Sequence, residues 1–396
     1  YLKDLGITGL YLCPIFEATT NHKYDTTDYF EIDRHFGDKE VFANLVEEAH
    51  KRGIKIMLDA VFNHIGYQSA QWQDVLKNGE KSPYKDWFHI QEFPVTEDKL
   101  QNPRQLPYHT FAFASYMPKL NTANPEVRDY LLSVATYWIE NFDIDAWRLD
   151  VANEIDHQFW RDFRKAVLAK KSDLYILGEI WHTSQPWLQG DEFHAVMNYP
   201  LSESIKDYFL RQRKKTEQFI SEINSQSMYY KQQISEVMFN LLDSHDTERI
   251  LTTAKGNIQH VKAALTFLYL QKGTPCIYYG TELTLIGGPD PDCRRVMPWD
   301  RVSEDNDMLN FMKKLIQVRK EVASIIQYGN YRLEEVKLDV LSLKWNYQGI
   351  EVQAIFNQSS EKYTLDRDSV DLASHCQFED GQQVILPDGF VITVSR

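Results

Sequence analysis

The chain has 396 residues, which is long enough for two or three domains and a large buried core. Its 43 Lys and Arg residues against 57 Asp and Glu residues give a formal net charge of −14, which argues against a nucleic-acid or anionic-membrane surface because such surfaces need dense positive charge. Hydrophobic residues make up 43% and charged residues 25%, so the composition is that of a globular protein and excludes a disordered chain.

Along the first 280 residues, short apolar, β-branched runs end in polar residues and alternate with helical segments. Near-continuous apolar runs are typical of parallel strands covered on both faces. Alternating strands and helices predict a (β/α) barrel or a doubly wound sheet. The seven predicted strands lie within residues 7–16, 54–64, 144–152, 174–181, 195–199, 236–246 and 274–280.

Three of the intervening segments predict amphipathic helices, and two of them have a recognisable end. Asn124 followed by Pro125 is typical of an N-cap and a first helical position, and Gly53 is typical of the residue after a helix. The apolar stripes that predict these helices are Phe42/Leu45/Val46/Ala49, Val127/Leu131/Val134/Trp138 and Ile155/Phe159/Phe163/Val167.

Polar residues gather at the C-terminal ends of at least four predicted strands. A barrel brings all its strand ends to one mouth, whereas an open doubly wound sheet concentrates its site at one switch point. No G-x-G-x-x-G sequence opens a helix, which further disfavours a dinucleotide-binding fold. We therefore expect a (β/α) barrel. The four clusters are Asp59/His64, Arg148/Asp150, Glu179 and His245/Asp246.

Two segments interrupt the alternation and define the predicted domains. Residues 66–117, rich in aromatic residues, Pro and Gln, are predicted to form an inserted subdomain after the strand that ends at His64. Residues 326–396 alternate apolar and polar positions, with turn signals at 347–349 and 387–389, and predict a C-terminal antiparallel β-sandwich domain. Residues 1–65 and 118–325 are then the barrel.

The cysteines and the apolar runs indicate the cellular compartment in which the protein is expected. Four widely spaced cysteines predict free thiols in a reducing compartment, so we expect a cytoplasmic protein. No apolar run approaches the roughly 20 residues that span a bilayer, and the first residues lack signal-peptide features. The chain does not start with Met, so it can also be a processed product or an excised piece. The cysteines are Cys13, Cys276, Cys293 and Cys376.

Asp150 and Glu179 form a candidate pair of catalytic carboxyls. Arg148, on the same side of its strand as Asp150, can keep that carboxyl ionised, whereas Glu179 has no cation beside it in sequence and is flanked by apolar residues that raise a carboxyl pKa. One ionised and one protonated carboxyl are what glycoside hydrolysis needs. The alternative is a structural Arg–Asp pair beside a solvated Glu.

Asp246 is a third strand-end carboxylate, and His245 and His64 can bind sugar hydroxyls. Both histidines can instead be structural. A Zn²⁺ site is a further alternative, although no His-x-x-x-His or Cys/His spacing supports it.

These residues fall in segments that resemble the α-amylase family of glycoside hydrolases, within it the neopullulanase, cyclomaltodextrinase and maltogenic amylase group. The resemblance covers residues 1 to about 325 and is specific, because the segments occur in the family's order. They are GLYLCPIF (9–16), DAVFNH (59–64), MPKLN (117–121), WRLDVANE (147–154), GEIWH (178–182), LLDSHD (241–246) and GTPCIYYGTE (273–282).

Carried over position by position, the resemblance implies a nucleophile at Asp150, a general acid/base at Glu179 and a third carboxylate at Asp246. It implies that Tyr24 stacks beneath the sugar at the cleavage point, unless that ring packs only against its loop. Trp181 lies where the group shapes the leaving-group side, unless it is a core residue. The further implied substrate-binding residues are His64, Arg148, Asn153, Glu154, His245, Asp290 and Arg294.

The implied reaction is hydrolysis of α-1,4 bonds in cyclodextrins, pullulan or maltodextrins, with retention through a covalent glycosyl-enzyme; α-1,6 bonds are a further option. Retention requires the two carboxyls to lie about 5–5.5 Å apart. One alternative is an α-glucosyltransferase with the same residues. Another is a non-catalytic carbohydrate-binding homologue, which the presence of all three carboxylates disfavours.

The sequence departs from the family at its start. The resemblance implies a (β/α)8 TIM barrel, but only seven of its eight strands are found, so the first strand and the group's N-terminal β-domain are expected to be missing. No cofactor is expected to be required; calcium is possible at Asn63, while the upstream calcium loop is expected to be lost. The parent enzyme is expected to be a homodimer acting on a glucan, with no nucleic-acid or membrane partner; the oligomeric state of this chain is not predicted.

Overall fold

The computed structural model of the protein describes residues 1–95, 106–365 and 370–395. Within these ranges the helices are α1 Leu2–Leu5, α2 Lys39–Lys51, α3 Ala70–Asn78, α4 Pro125–Phe142, α5 His157–Lys170, α6 Tyr199–Ile205, α7 Thr216–Ser227, α8 Gln232–Ser235, α9 Ile250–Thr253, α10 Ile258–Tyr269, α11 Asp307–Glu321 and α12 Ala323–Tyr328. The strands are β1 Gly9–Tyr11, β2 Phe16–Ala18, β3 Thr26–Ile32, β4 Lys55–Ala60, β5 Ala146–Leu149, β6 Tyr175–Gly178, β7 Ala195–Val196, β8 Phe239–Asn240, β9 Thr274–Pro275, β10 Asn330–Lys337, β11 Val340–Tyr347, β12 Ile350–Asn357, β13 Tyr363–Leu365, β14 Leu372–Glu379 and β15 Gln382–Ser395.

These elements fall into two compact units. The N-terminal unit consists of Ile7–Ile180 and Ser184–Val196. The C-terminal unit consists of Tyr1–Gly6, Trp181–Thr183 and Met197–Arg396.

The N-terminal unit contains a five-stranded parallel sheet with the order β1-β4-β5-β6-β7. Its middle strand β5 is buried along its whole length, as expected for a parallel strand covered on both faces. In the C-terminal unit, β8 and β9 form a further parallel pair. Each of the seven predicted strands is therefore present, and each pairs in parallel.

The predicted helix ends are confirmed. The side chain of Asn124 accepts hydrogen bonds from the backbone N–H groups of Glu126 and Val127, and Pro125 occupies the first turn of α4. Gly53 follows the cap of α2 with a φ of 70°, a left-handed conformation that glycine adopts without strain. Trp138 of α4 is fully buried, with ring centroids 5.0 Å from Phe16 and 5.7 Å from Phe42.

Where residues 66–117 are described, they contain helix α3 and isolated β-bridges but no strand–helix unit, as predicted. Trp72 is fully buried between Phe88 and Tyr108, with ring centroids 4.7 Å and 4.6 Å away. The aromatic residues of this segment therefore supply its core. Residues 96–105 of the predicted insertion lie outside the described residues.

The C-terminal domain is antiparallel, as predicted, and its described strands belong to one sheet. The order is β10-β11-β12-β15-β13, with β14 also paired to β15. The turn predicted at 347–349 is confirmed, because Gln348 and Gly349 have φ values of 51° and 83°, as in a two-residue hairpin loop. Residues 366–369 and 396 of the predicted domain lie outside the described ranges.

The turn predicted at 387–389 is wrong, because these residues lie inside the 14-residue strand β15. Opposite them the pairing changes from Ser374↔Phe390 to Cys376↔Ile385, so residues 386–389 face His375 alone. Asp388 has a φ of 62° within this bulge. Turn-forming residues are thus accommodated by a bulge without ending the strand.

Among the described residues, which include all four cysteines, the structure shows no disulfide. A helix with the length and hydropathy needed to cross a membrane is also absent from the described part of the chain.

Candidate active site

A buried arginine on β5 faces three carboxylates. Arg148 Nη1 lies 3.0 Å from each carboxyl oxygen of Asp59 and 2.7 Å from Asp150 Oδ1. Arg148 Nη2 lies 2.8 Å from Glu179 Oε1. The strand register explains this arrangement, since Asp59 is directly opposite Arg148 in the β4–β5 pair and Glu179 follows the next strand, β6. The ends of three neighbouring strands therefore meet at one guanidinium.

Glu179 has no cation beside it in sequence, but in the structure it contacts the same arginine as Asp150. Sequence separation shows only that Arg148 is close to Asp150, whereas the two terminal nitrogens of a guanidinium can reach carboxylates on both sides of their strand. Arg148 is fully buried and makes both contacts.

One cation faces three carboxylates in this cluster, so their protonation is linked. Burial raises the pKa of Asp150 well above its ordinary value; Arg148 opposes this rise, and Glu179 and Asp59 add to it. Burial likewise raises the pKa of Asp59, again against the effect of Arg148. The cluster therefore retains a proton to higher pH than exposed carboxyls do.

The loop after β5 folds back onto Glu179. Val151 donates its backbone N–H to Glu179 Oε2 at 3.0 Å, and Ala152 donates its N–H to the carbonyl oxygen of Glu179 at 3.2 Å. Val151 has a φ of 46°, which is unusual for a β-branched residue and costs on the order of 1–3 kcal/mol. Trp160 Nε1 donates to the carbonyl oxygen of Ala152 at 2.8 Å and helps to hold the loop.

Asp59 accepts from two tyrosines as well as from Arg148. Tyr11 donates its hydroxyl to Asp59 Oδ2 at 2.6 Å, and Tyr24 donates to the same oxygen at 3.0 Å. The sequence had marked Asp59 only as a strand-end residue and had not placed Tyr11 in the site. An ionisable side chain in an otherwise apolar strand was the available signal.

Tyr24 and His64, both predicted site residues, are neighbours. His64 Nε2 lies 3.0 Å from the carbonyl oxygen of Tyr24, and the ring of Phe111 stacks on the imidazole with centroids 5.0 Å apart. Burial lowers the pKa of His64 to about 4, so its ring is neutral at pH 7. A neutral imidazole can donate at one nitrogen and accept at the other.

Asn63 does not fit the calcium site suggested for it. Lys119 Nζ donates to Asn63 Oδ1 and, at 3.1 Å, to the carbonyl oxygen of Glu154, so the amide oxygen already faces a positive charge. In the described part of the chain, no group of three or more His, Cys, Asp or Glu side chains could hold a metal ion. Asn153 is exposed, in the short 3-10 helix Ala152–Glu154.

The C-terminal unit brings together a second set of predicted residues. His245 Nε2 lies 3.1 Å from Asp246 Oδ2, and Arg294 Nη2 lies 3.5 Å from Asp246 Oδ1. Arg294 Nε lies 3.0 Å from Asp290 Oδ1 and donates to the carbonyl oxygen of His245 at 2.8 Å. Arg294 therefore links the loop after β8 to the loop that carries Asp290.

Trp181 is a half-exposed platform in this unit and not a core residue. Its ring is 48% exposed and stacks on buried Tyr199, with centroids 3.9 Å apart and an interplanar angle of 6°. The stacking fixes one face of the indole and leaves much of the side chain accessible.

The predicted site residues thus form two groups, each described within its own unit. The N-terminal unit holds Tyr24, His64, Arg148, Asp150, Asn153, Glu154 and Glu179, and the C-terminal unit holds Trp181, His245, Asp246, Asp290 and Arg294.

The comparison with known families decides the relationship of the chain. The family described as "Alpha amylase, catalytic domain" matches residues 1–365. The chain belongs to the alpha-amylase family. A solved structure of a cyclomaltodextrinase aligns with a TM-score of 0.90 and 44% identity, over 100% of this chain and 69% of that one. The barrel fold with its C-terminal antiparallel domain is therefore confirmed.

Two relatives indicate the branch of the alpha-amylase family. The chain is 53% identical over 362 residues to an intracellular maltogenic amylase of Bacillus subtilis, covering 91% of this chain and 60% of the relative. It is 46% identical over 368 residues to neopullulanase 2 of Thermoactinomyces vulgaris, covering 92% of this chain and 62% of the relative. The resemblance to the neopullulanase, cyclomaltodextrinase and maltogenic amylase group is confirmed, and the chain spans about three fifths of these relatives.

Proposed function

We propose that this chain carries the catalytic machinery of an α-glucan hydrolase that cleaves α-1,4 bonds in cyclodextrins, pullulan or maltodextrins. The observation that carries the proposal is the buried Arg148, whose two terminal nitrogens contact Asp150 and Glu179. The names of relatives at 44–53% identity, a cyclomaltodextrinase and a maltogenic amylase, support this substrate class. Cleavage of α-1,6 bonds is a second specificity to be tested with pullulan.

The proposed reaction is a double displacement with retention. Glu179 donates a proton to the glycosidic oxygen as the Asp150 carboxylate attacks the anomeric carbon, so the leaving sugar departs with its hydroxyl restored. Glu179 then takes a proton from water, and that water oxygen displaces Asp150 from the sugar. Arg148 orients both carboxyls and stabilises the negative charge of Asp150.

The charge balance of the cluster supports one proton shared among its carboxyls. One guanidinium, that of Arg148, contacts all three carboxylates, Asp59, Asp150 and Glu179. A proton on one carboxyl lowers the repulsion, and the reaction requires that proton on the leaving-group side.

The remaining predicted residues are proposed to bind the sugars. Asp246 and His245 are assigned to hydroxyls at the cleavage point, and Asp290 and Arg294 to sugars further out. Tyr24 is assigned as the stacking platform beneath the cleaved sugar, with His64 as a hydroxyl ligand beside it. The contact between His64 Nε2 and the Tyr24 carbonyl oxygen supports treating these two as one surface. Asn153, Glu154 and Trp181 are assigned to the leaving-group side.

A cytoplasmic location is also proposed, since the relative from Bacillus subtilis is named an intracellular enzyme. The homodimer expected of the parent enzyme stays a prediction, which sedimentation analysis tests.

The deciding experiment measures reducing-end release from β-cyclodextrin by this 396-residue chain, with Asp150→Asn as the blank. Activity confined to the wild type, with retained anomeric configuration by NMR, is the expected result. Product analysis with added maltose then separates hydrolysis from glucosyl transfer. If both proteins bind sugar and neither turns it over, the 396-residue chain is not a hydrolase and the binding-protein alternative gains.

A further inference from the structure

A lysine ammonium lies where three segments of the N-terminal unit meet. Lys119 Nζ donates hydrogen bonds to Asn63 Oδ1 and, at 3.1 Å, to the carbonyl oxygen of Glu154, and it lies 3.4 Å from Glu154 Oε2. Asn63 follows β4, Glu154 follows β5, and Lys119 stands beyond the predicted insertion, 56 residues from Asn63 and 35 from Glu154. One side chain therefore joins three distant parts of the chain.

The oxygen atoms around this ammonium are of the chemical types that bind hard metal cations. An amide oxygen, a backbone carbonyl oxygen and a carboxylate are the ligand types that Ca²⁺ prefers. Here they face the side chain of Lys119, which is 19% exposed and ion-paired to the carboxylate of Glu154. The charge that such oxygens require is thus supplied by the protein itself.

We propose that Lys119 is a built-in cation, whose ammonium takes the structural place of a divalent metal ion at the junction of the insertion with the β4 and β5 loops. This assignment does not depend on the proposed function, because it is tested by measuring the stability of the protein. The calcium given as possible at Asn63 is then unnecessary at this position.

The junction supports two segments that carry site residues. His64 forms a β-bridge with Lys119, and Leu120 donates its N–H to the carbonyl oxygen of Asn63 at 3.0 Å. On the other side, Glu154 ends the loop whose Val151 N–H binds Glu179. Lys119 therefore acts as a positioning residue for both loops and is not itself a catalytic residue.

Thermal unfolding of the full chain tests the proposal with two variants. Lys119→Met keeps the volume without the charge, and Lys119→Ala leaves the oxygens with an open space. We expect the melting temperature of both to fall by about 2–5 °C, because charge-assisted hydrogen bonds are lost. Millimolar calcium should restore part of the loss in Lys119→Ala but not in Lys119→Met, whose side chain fills the space. The exposed Lys85, changed to Met, is the control and should melt as the wild type does.

Three results would overturn the proposal. The first is a Lys119→Met variant as stable as the wild type, since the ammonium would then be dispensable. The second is a folded Lys119→Ala variant that calcium does not stabilise. The third is calcium stabilisation of the wild type that Asn63→Ala abolishes, because a metal would then occupy the position. Lys119→Met decides the question if Lys119→Ala cannot be recovered folded, and none of these readouts depends on glucan hydrolysis.

Discussion

Arg148 on β5 and Glu179, which directly follows the neighbouring strand β6, are joined by an Nη2–Oε1 contact of 2.8 Å. The same guanidinium binds Asp150 through Nη1, so the proposed nucleophile and the proposed acid share one cation. Their protonation states are therefore not set by separate surroundings. Removal or neutralisation of any member must affect the other carboxyls, which makes the cluster testable by single substitutions.

Arg148→Lys should abolish most of the activity although it preserves the charge. A single ammonium cannot replace two nitrogens that contact different carboxylates, so we expect kcat/KM on β-cyclodextrin to fall by about 10²–10⁴. The loss of buried contacts should lower the free energy of unfolding by about 3 kcal/mol. Arg161→Lys is a matched control, because Arg161 pairs with Asp191 at the surface. An Arg148→Lys enzyme with near wild-type kcat would contradict the shared-cation interpretation.

Asp150→Asn should eliminate turnover without destabilising the protein at neutral pH. Burial raises the pKa of Asp150, so the folded state holds the carboxyl proton more tightly than the unfolded state does. The protein therefore loses stability as the pH rises from the ordinary carboxyl range toward the pKa of the folded state, because Asp150 must then ionise. The amide avoids that cost. We expect Asp150→Asn to melt at or slightly above the wild-type temperature at pH 7, with the difference shrinking toward pH 4. Differential scanning calorimetry across this range measures it, and a loss of several degrees at pH 7 would show that the ionised carboxylate stabilises the fold.

Local sequence features predicted the secondary structure well because their physical causes are local. The Asn124–Pro125 helix start depends on hydrogen bonds within one turn, and the apolar run containing β5 is buried because the sheet is covered on both faces. At residues 387–389 the same logic failed. The turn-forming residues are present, but pairing of β15 on both sides of the bulge keeps the strand continuous.

The contacts of the site depend on register and on distant segments, which one sequence does not reveal. Asp59 meets Arg148 because β4 and β5 pair in a particular register, and Lys119 meets Asn63 across the whole insertion. The order of motifs named the site residues through resemblance to a family. The motif order could not show that Glu179 and Asp150 contact the same arginine, because the spacing of residues in sequence does not tell which side chains a guanidinium contacts on a neighbouring strand.

His64 should make the protein less stable in acid. Burial lowers the pKa of His64 from 6.5 to about 4, so the folded state binds its proton less readily than the unfolded state, and stability is lost as the pH falls through this interval. The shift corresponds to about 3 kcal/mol. Urea unfolding of His64→Gln between pH 4 and 7 should therefore show a flatter pH dependence than the wild type. His182→Gln, at an exposed histidine, is the control, and equal slopes for His64→Gln and wild type would contradict the prediction.

Trp181→Leu should change how the enzyme handles sugars more than how stably it folds. The Trp181–Tyr199 stack contributes about 0.5–1.5 kcal/mol, so the melting temperature should drop only slightly. If the accessible side chain stacks on a sugar of the leaving-group side, its loss should raise KM for maltodextrins about 5–10-fold, since that stacking is worth on the order of 1 kcal/mol. The share of transfer products should also fall, because an acceptor sugar uses the same surface as the leaving group.

Trp299→Leu is the matched control, as Trp299 is also exposed but contacts Tyr1 edge-on, with ring centroids 5.2 Å apart. Chromatography of products made with added maltose separates the two variants, and an unchanged product ratio in Trp181→Leu would remove Trp181 from the proposed sugar-binding surface.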